Sequence, residues 1–190
     1  MMVERREGAR MSPTHRDSFG KTINRDHSVI LAHAVPLLTI LLGSLTPILP
    51  IIASGPVMPP FGFMFLLAWR IVRPGLMPPW IGLPLGAFDD LFSGQPFGNA
   101  ILLWSVAMLA MDAIEARFPW RSFWQDWATA SGMIAAYLVL GAIVAGGNFE
   151  PQRFLLLIPQ LAFSILLFPI VGRIVAFFDR VRLFRIKVIG

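Results

Sequence analysis

Two adjacent carboxylates, Asp89 and Asp90, lie inside an apolar stretch of the sequence. A carboxylate near the bilayer centre costs about 2.5 to 3.5 kcal/mol on insertion scales, so such side chains usually face a cavity, a bundle interior or a partner. This pair could relay protons, anchor a ligand or contact another membrane protein. Alternatively, one aspartate is protonated and the other caps backbone amides. Because neighbouring residues of a helix point about 100° apart, we expect the helix to be broken near Pro84.

Glycines flank the aspartates at a regular spacing. Gly82, Gly86, Gly94 and Gly98 form a ladder of four-residue steps with Asp90 at its centre. Residues four apart share one helical face, and small residues on that face let two helices approach closely in lipid. The ladder predicts a packing seam, and we favour the following helix of the same chain over another protein as its partner.

Several kinds of chemistry are excluded by what the sequence lacks. The chain has no cysteine, which rules out disulfides, thiolate metal sites and iron-sulfur clusters. It has no serine-hydrolase elbow, zinc-protease motif or phosphate-binding loop. Asp112 and Glu115 are three residues apart at a predicted helix end, a spacing more typical of a solvated or ion-paired face than of an acid/base site. We therefore expect no enzyme, no metal site and no cofactor.

The composition of the chain indicates whether it folds in water or in a lipid bilayer. The 190-residue chain is 56% hydrophobic and 14% charged, whereas soluble domains are about 25% charged. A soluble fold of this size could not bury so much apolar surface. The protein is therefore expected to be an integral membrane protein.

Apolar runs and turn signals predict six membrane-spanning helices. The second run is short, and the third contains Pro84 and both aspartates. The predicted spans are Val29–Ile52, Val57–Val72, Pro78–Phe97, Asn99–Glu115, Trp127–Ala145 and Phe154–Phe178.

The basic residues predict the orientation of these spans. With six crossings, fifteen of the sixteen Lys and Arg residues fall on one side of the membrane, and only Arg153 falls on the other. Cytoplasmic loops collect basic residues, so both termini should be cytoplasmic. The net charge of +5 then belongs to a membrane flank that meets anionic lipid, and no nucleic-acid partner is expected.

Three regions follow from this pattern. Residues 1–27 form a basic cytoplasmic tail that is predicted to be disordered, residues 28–178 form the transmembrane domain, and residues 179–190 form a basic cytoplasmic or interfacial tail. A loop rich in tryptophan, including Trp120, Arg121, Trp124 and Trp127, should lie at the cytoplasmic headgroup level. The alternative for this loop is that it docks a partner.

The run from Gly86 to Gly98 resembles a motif of the rod shape-determining MreD family. The family pattern is G-x-x-x-D-x-x-x-G-x-x-(L/F)-G, and Gly86, Asp90, Gly94 and Gly98 occupy its fixed positions. The same run contains Asp89, which is additional to the pattern, and Pro96. These six residues are the candidate motif for packing or partner contact.

The resemblance implies a fold, a role and partners. It implies an all-α compact bundle of six transmembrane helices whose third helix is broken. Such a bundle is similar to the small substrate-binding subunits of energy-coupling-factor transporters. The implied role is that of a non-enzymatic subunit of the bacterial cell-elongation machinery in the inner membrane, acting with MreC, MreB and the wall-synthesis enzymes. A small-solute-binding subunit of a transporter is the alternative.

Overall fold

The computed structural model describes residues 29–48, 58–118, 122–144, 146 and 151–182. The predicted tail 1–27, the final segment 183–190, Trp120 and Arg121 lie outside the described residues. The described part is helical and contains no β-strand. An all-α fold is therefore confirmed for this part of the chain.

Six α-helices form the described part of the chain. Short 3-10 turns at Thr46–Ile48 and Pro79–Ile81 follow the first helix and precede the third. The helices are α1 (Val29–Ser44), α2 (Phe61–Val72), α3 (Gly82–Phe92), α4 (Asn99–Arg117), α5 (Phe123–Val144) and α6 (Pro151–Arg182).

Three helices are long and apolar enough to cross a membrane: α4, α5 and the segment Leu155–Val181 of α6. On α4, Leu102, Val106 and Leu109 form an exposed apolar stripe with the spacing of one helical face. A stripe of this kind facing water would be unfavourable, so its natural surroundings are lipid chains. The protein is a membrane protein.

The first three helices are shorter than the predicted spans. At 1.5 Å per residue, α2 and α3 are about 18 Å and 16 Å long, against a hydrocarbon core of about 30 Å. Proline and glycine set these lengths. Met58 and Pro59 each precede a proline, which disfavours the helical conformation at both residues, and Gly94 adopts the left-handed region (φ 68°) just after α3.

The expected break at Pro84 is not where the structure places the interruption. The helix α3 is continuous from Gly82 to Phe92, and the irregular segment is the 3-10 turn that precedes it. Pro84 lies in the first turn of α3, where backbone N–H groups have no partner within the helix, so a proline is tolerated there. The prediction of a break at Pro84 is therefore wrong, and the distortion lies just before the start of α3.

The helix α2 lies at the centre of the fold, with α1, α5 and α6 packed against it. Its Phe63, Met64, Leu66 and Trp69 side chains are all fully buried. The hairpin of α3 and α4 packs beside this centre, with α1 and α5 as its other neighbours. A short buried helix thus carries much of the core, while α4, α5 and α6 present apolar side chains outward.

A tryptophan compensates for a proline inside α6. Pro169 has no N–H to donate to the carbonyl of Ile165 one turn earlier. The indole N–H of Trp127, on α5, donates to that carbonyl at 3.1 Å. This hydrogen bond lets α6 continue through Pro169 and links it to α5.

Candidate functional site

The Asp90 carboxylate caps the first turn of α4. Its Oδ2 accepts the backbone N–H groups of Gly98 (2.8 Å) and Ile101 (3.2 Å), and its Oδ1 accepts that of Ala100 (2.8 Å). These N–H groups have no carbonyl partner within a helix, and a negative charge at this end also interacts favourably with the helix dipole. Capping of backbone amides was one of the two alternatives for the aspartate pair, and Asp90 caps the amides at the start of α4.

The glycines of the ladder on α3 let α4 approach closely. A Cβ atom built on Gly86 would lie 2.6 Å from the carbonyl oxygen of Ala100, and one built on Gly82 would lie 2.9 Å from that of Trp104. Both contacts are with backbone, which cannot move aside as a side chain can. The packing seam predicted from the spacing therefore faces α4 of the same chain.

The glycines after Asp90 form the turn instead of the seam. Gly94 (φ 68°) and Gly98 (φ 100°) both adopt backbone conformations that favour glycine, and a Cβ on either would meet open space. Between them, the carbonyl of Pro96 accepts the N–H of Asn99 at 3.1 Å. Two glycines of the ladder thus allow close packing, two allow the turn, and Asp90 joins the two helices.

Asp89 is also buried, at 6% exposure, but on a different side of α3. The side-chain groups that face its carboxyl are the hydroxyls of Ser44, at the end of α1, and Tyr137, on α5. Both aspartates can be buried on a regular helix because α3 packs against α4 on one side and α1 on another, and Tyr137 of α5 lies beside Asp89. Adjacent aspartates therefore have separate surroundings.

A cluster of buried polar groups surrounds Asp89. Tyr137 faces Trp104 and Gln95 as well as Asp89, and Gln95 accepts a hydrogen bond from the side-chain amide of Asn99. Ser44 lies in hydrogen-bond contact with Asp89, and Trp104 with Tyr137, whereas Asn99 Oδ1 is buried without a hydrogen-bond partner among the described residues. We call Ser44, Asp89, Gln95, Asn99, Trp104 and Tyr137 the Asp89 cluster.

Sequence reasoning missed most of this cluster. Ser44, Tyr137 and Asn99 are far apart in the chain and match no motif. One signal was available, because Tyr137 is the only tyrosine of the sequence and lies in an apolar helix. A buried phenol needs a hydrogen-bond partner.

An ionic cluster lies at the opposite end of α4. The buried guanidinium of Arg70, on α2, pairs with Asp112 and with Glu115 (3.0 Å) and donates to the carbonyl of Met77 at 3.2 Å. Asp112 and Glu115 were expected to be ion-paired or solvated, and Arg70 is their partner. Asn99 lies thirteen residues from Asp112 along α4, so the two clusters are about 20 Å apart.

A second ion pair joins the C-terminal ends of α2 and α6. Arg73, which follows α2, pairs with Asp179 of α6 at 2.9 Å. The helices α2, α4 and α6 therefore bring their C-terminal ends to one side of the protein.

The described members of the tryptophan-rich loop have different surroundings. Trp124 is 69% exposed, whereas Trp127 is half-buried and donates its hydrogen bond to α6. A cytoplasmic interface at this loop stays a prediction.

Gly86, Asp90, Gly94 and Gly98 stabilise the hairpin of α3 and α4, whereas Asp89 has no such structural role. No group of three or more His, Cys, Asp or Glu residues that could hold a metal ion occurs among the described residues. Asp90 uses both oxygens on backbone N–H groups, whereas Asp89 lies beside the side-chain hydroxyls of Ser44 and Tyr137 from two other helices. Proton binding and ligand binding are therefore open to Asp89 more than to Asp90.

Comparison with known proteins adds nothing to this geometry: no protein-family model matches the sequence, and neither a curated protein nor a solved structure matches it.

Proposed function

We propose that this protein is a non-enzymatic inner-membrane subunit of the bacterial cell-elongation machinery. In this role it acts with MreC and MreB to organise lateral peptidoglycan synthesis by the wall-synthesis enzymes. The proposal depends on the resemblance of residues 86–98 to the MreD motif. The geometry of that motif is the observation that supports it.

Each fixed position of the motif has a physical role in one α-helical hairpin. Gly86 permits backbone contact with α4, Asp90 caps α4, and Gly94 and Gly98 form the turn. Because these contacts fix the arrangement of α3 and α4, the hairpin has a defined outer surface. A subunit whose task is assembly needs such a surface, because its partners must recognise a fixed arrangement of helices.

The proposal includes six membrane crossings with both termini in the cytoplasm. The C-terminal ends of α2, α4 and α6 meet at the ion pairs of Arg70 and Arg73, on the side predicted to be cytoplasmic from the basic residues. Ser44, at the end of α1, reaches the opposite end, beside Asp89. These alternating directions support six crossings, and the short helices α2 and α3 would require loops that enter the interface or a locally thin bilayer.

A solute-binding subunit of a transporter is the second candidate function. The observation that favours it is the Asp89 cluster, a group of buried polar side chains in which Asn99 Oδ1 has no hydrogen-bond partner, because ligand sites combine apolar walls with a few such polar groups. In this case the bundle would act like the substrate-binding subunits of energy-coupling-factor transporters, and a cytoplasmic ATPase would be its partner.

Crosslinking and affinity purification from native membranes distinguish these functions. The tagged chain is crosslinked, extracted in mild detergent and analysed by mass spectrometry beside Asp90→Ala and Asp126→Asn variants of equal abundance. We expect wild type and Asp126→Asn to recover MreC and wall-synthesis enzymes, and Asp90→Ala to recover at least about fivefold less. Recovery of an ATPase pair with a membrane coupling subunit would contradict the proposal and support transport.

A further inference from the structure

The outer face of α6 carries two arginines within its apolar segment. The segment Leu155–Val181 is long and apolar enough to span a membrane, and Arg173 and Arg180 both lie in it with exposed side chains. Arg173 precedes the end of this segment by eight residues, which is about 12 Å along the helix. An exposed cation at that depth is unfavourable in a bilayer unless its side chain reaches polar groups at the membrane surface.

The charges of these two arginines are not neutralised within the described part of the chain. The ion pairs there use Arg70 and Arg73, and none of the hydrogen bonds or ion pairs among the described residues includes Arg173 or Arg180. The acidic residue of α6, Asp179, is buried and pairs with Arg73. The outer face of α6 therefore needs a negative group from outside these residues.

The two arginines lie on the same side of α6. They are seven residues apart, which is two helical turns or about 10.5 Å. Side chains of a helix lean toward its N-terminus, so Arg180 leans toward Arg173, and Arg173 must extend toward the surface to leave the apolar region. Both guanidinium groups can therefore approach one phosphate group placed between them.

Apolar side chains continue this side of α6 toward the middle of the helix. Phe177, between the two arginines, is 62% exposed, and Leu166 and Ile170, which precede Arg173, are 70% and 52% exposed. The face thus has cations near its end and exposed apolar side chains deeper in the membrane. A phospholipid has the same order, with a charged headgroup above its acyl chains.

The start of α5 indicates where the headgroup level lies. The indole N–H of Trp127 donates to the carbonyl of Ile165, and the ring of Trp124 packs edge-on against that of Trp127 with centroids 5.8 Å apart. Trp124 is 69% exposed, and exposed tryptophans of membrane proteins concentrate at the headgroup level. Arg173 lies eight residues beyond Ile165, about 12 Å along α6, so headgroup phosphates are within its reach.

We propose that Arg173 and Arg180 bind the headgroup of an anionic phospholipid, whose acyl chains lie along Leu166 and Ile170. A guanidinium group can donate two parallel hydrogen bonds to a phosphate group. An anionic lipid also supplies a net negative charge that a zwitterionic lipid lacks. The proposal is independent of the role in cell elongation, because it concerns only the outer face of α6.

The test measures lipid binding to the purified, delipidated full chain in detergent by native mass spectrometry. Phosphatidylglycerol and phosphatidylcholine with the same acyl chains are added in equal amounts, and the ratio of the two bound lipids is read from the masses of the complexes. One arginine near an anionic headgroup favours binding about fivefold, so we expect wild type to prefer phosphatidylglycerol about 25-fold.

Substitutions locate this preference on α6. Arg173→Gln and Arg180→Gln should each reduce it to about fivefold, and the double variant should bind both lipids about equally. Arg117→Gln, at the exposed end of α4, should keep the wild-type ratio. All four variants should keep the wild-type Tm, because these arginines are exposed.

Three outcomes would overturn the proposal. Equal binding of the two lipids by wild type would show that the arginines face another partner, such as an acidic protein surface. An unchanged preference in the double variant would place the lipid elsewhere. A preference that Arg117→Gln lowers as much as Arg173→Gln would show a diffuse attraction to any surface cation.

Discussion

Replacing Asp90 by asparagine should destabilise the hairpin of α3 and α4, although the two side chains have the same shape. The carboxylate accepts three backbone N–H groups with two oxygen atoms. Asparagine has one carbonyl oxygen, which can still accept the hydrogen bonds from Gly98 and Ile101 if it takes the place of Oδ2. Its amide group then faces the N–H of Ala100, and both groups are donors.

The size of the effect follows from these contacts. A hydrogen bond to a charged group contributes about 1.5 to 3 kcal/mol, and the negative charge at the start of a helix adds about 0.3 to 1 kcal/mol. Ala100 is fully buried, so water cannot replace the lost acceptor. We therefore expect Asp90→Asn to lower the free energy of unfolding by about 2 to 4 kcal/mol, or about 30- to 700-fold in the folding equilibrium.

The assay is equilibrium unfolding in mixed micelles with an increasing fraction of denaturing detergent. Asp126→Asn makes the same chemical change in the first turn of α5 and should cost about 1 kcal/mol or less. Asp90→Ala removes all three acceptor contacts and should cost more than Asp90→Asn. Equal stability of wild type and Asp90→Asn, within about 0.5 kcal/mol, would refute the role assigned to the second oxygen.

Further substitutions test the contacts between helices. Gly86→Ala places a methyl group against backbone and should cost about 2 to 3 kcal/mol in the same unfolding assay, whereas Gly132→Ala, which meets open space, should be neutral or slightly stabilising; equal effects would contradict the close contact. Trp127→Phe should lower the free energy of unfolding by about 1 kcal/mol, because it removes the hydrogen bond to the Ile165 carbonyl. Adding Pro169→Ala supplies the missing N–H to that carbonyl and should recover most of the loss. Additive effects of the two substitutions would argue against compensation. Arg70→Leu leaves two carboxylates without their cation and should cost about 3 kcal/mol; a loss under about 1 kcal/mol would mean that solvent screens them.

The hairpin was the most predictable part of the fold because its determinants are close together in the sequence. Four-residue spacing placed Gly82 and Gly86 on one face of α3, and the packing partner was the next helix, as expected. The capping role of Asp90 could also be anticipated. The two later glycines were misassigned to the seam, because spacing alone does not show where the helix ends at Phe92.

Helix lengths were predicted less well where proline or glycine defines a helix end, as at Pro60 and Gly94, than where proline lies inside a helix, as Pro169 does. The predicted spans for α4 and α5 agree with the helices to within a few residues, and the helix α6 is longer than its predicted span at both ends. By contrast, α2 and α3 are shorter than the apolar runs that contain them. Apolar composition measures preference for lipid, but helix ends depend on local N–H groups and on backbone angles such as that of Gly94.

The Asp89 cluster could not be predicted from sequence because its members approach only through tertiary packing. Ser44 and Tyr137 come from α1 and α5, and nothing in their local sequence indicates that both face Asp89. The same holds for Arg70, whose position suggested a cytoplasmic loop end but not a buried pair with Asp112. Contacts between distant segments depend on how the helices cross, which local patterns do not specify.

Controlled depletion of the protein in the bacterium that encodes it tests the proposed role in cell elongation most directly. Cell width and the incorporation of labelled wall precursors along the side wall are measured by microscopy during depletion, with wild type, Gly132→Ala or Asp90→Ala expressed in its place. We expect wider, rounded cells with less side-wall incorporation, rescued by wild type and by Gly132→Ala but not by Asp90→Ala. Unchanged width and side-wall incorporation after complete depletion would contradict it.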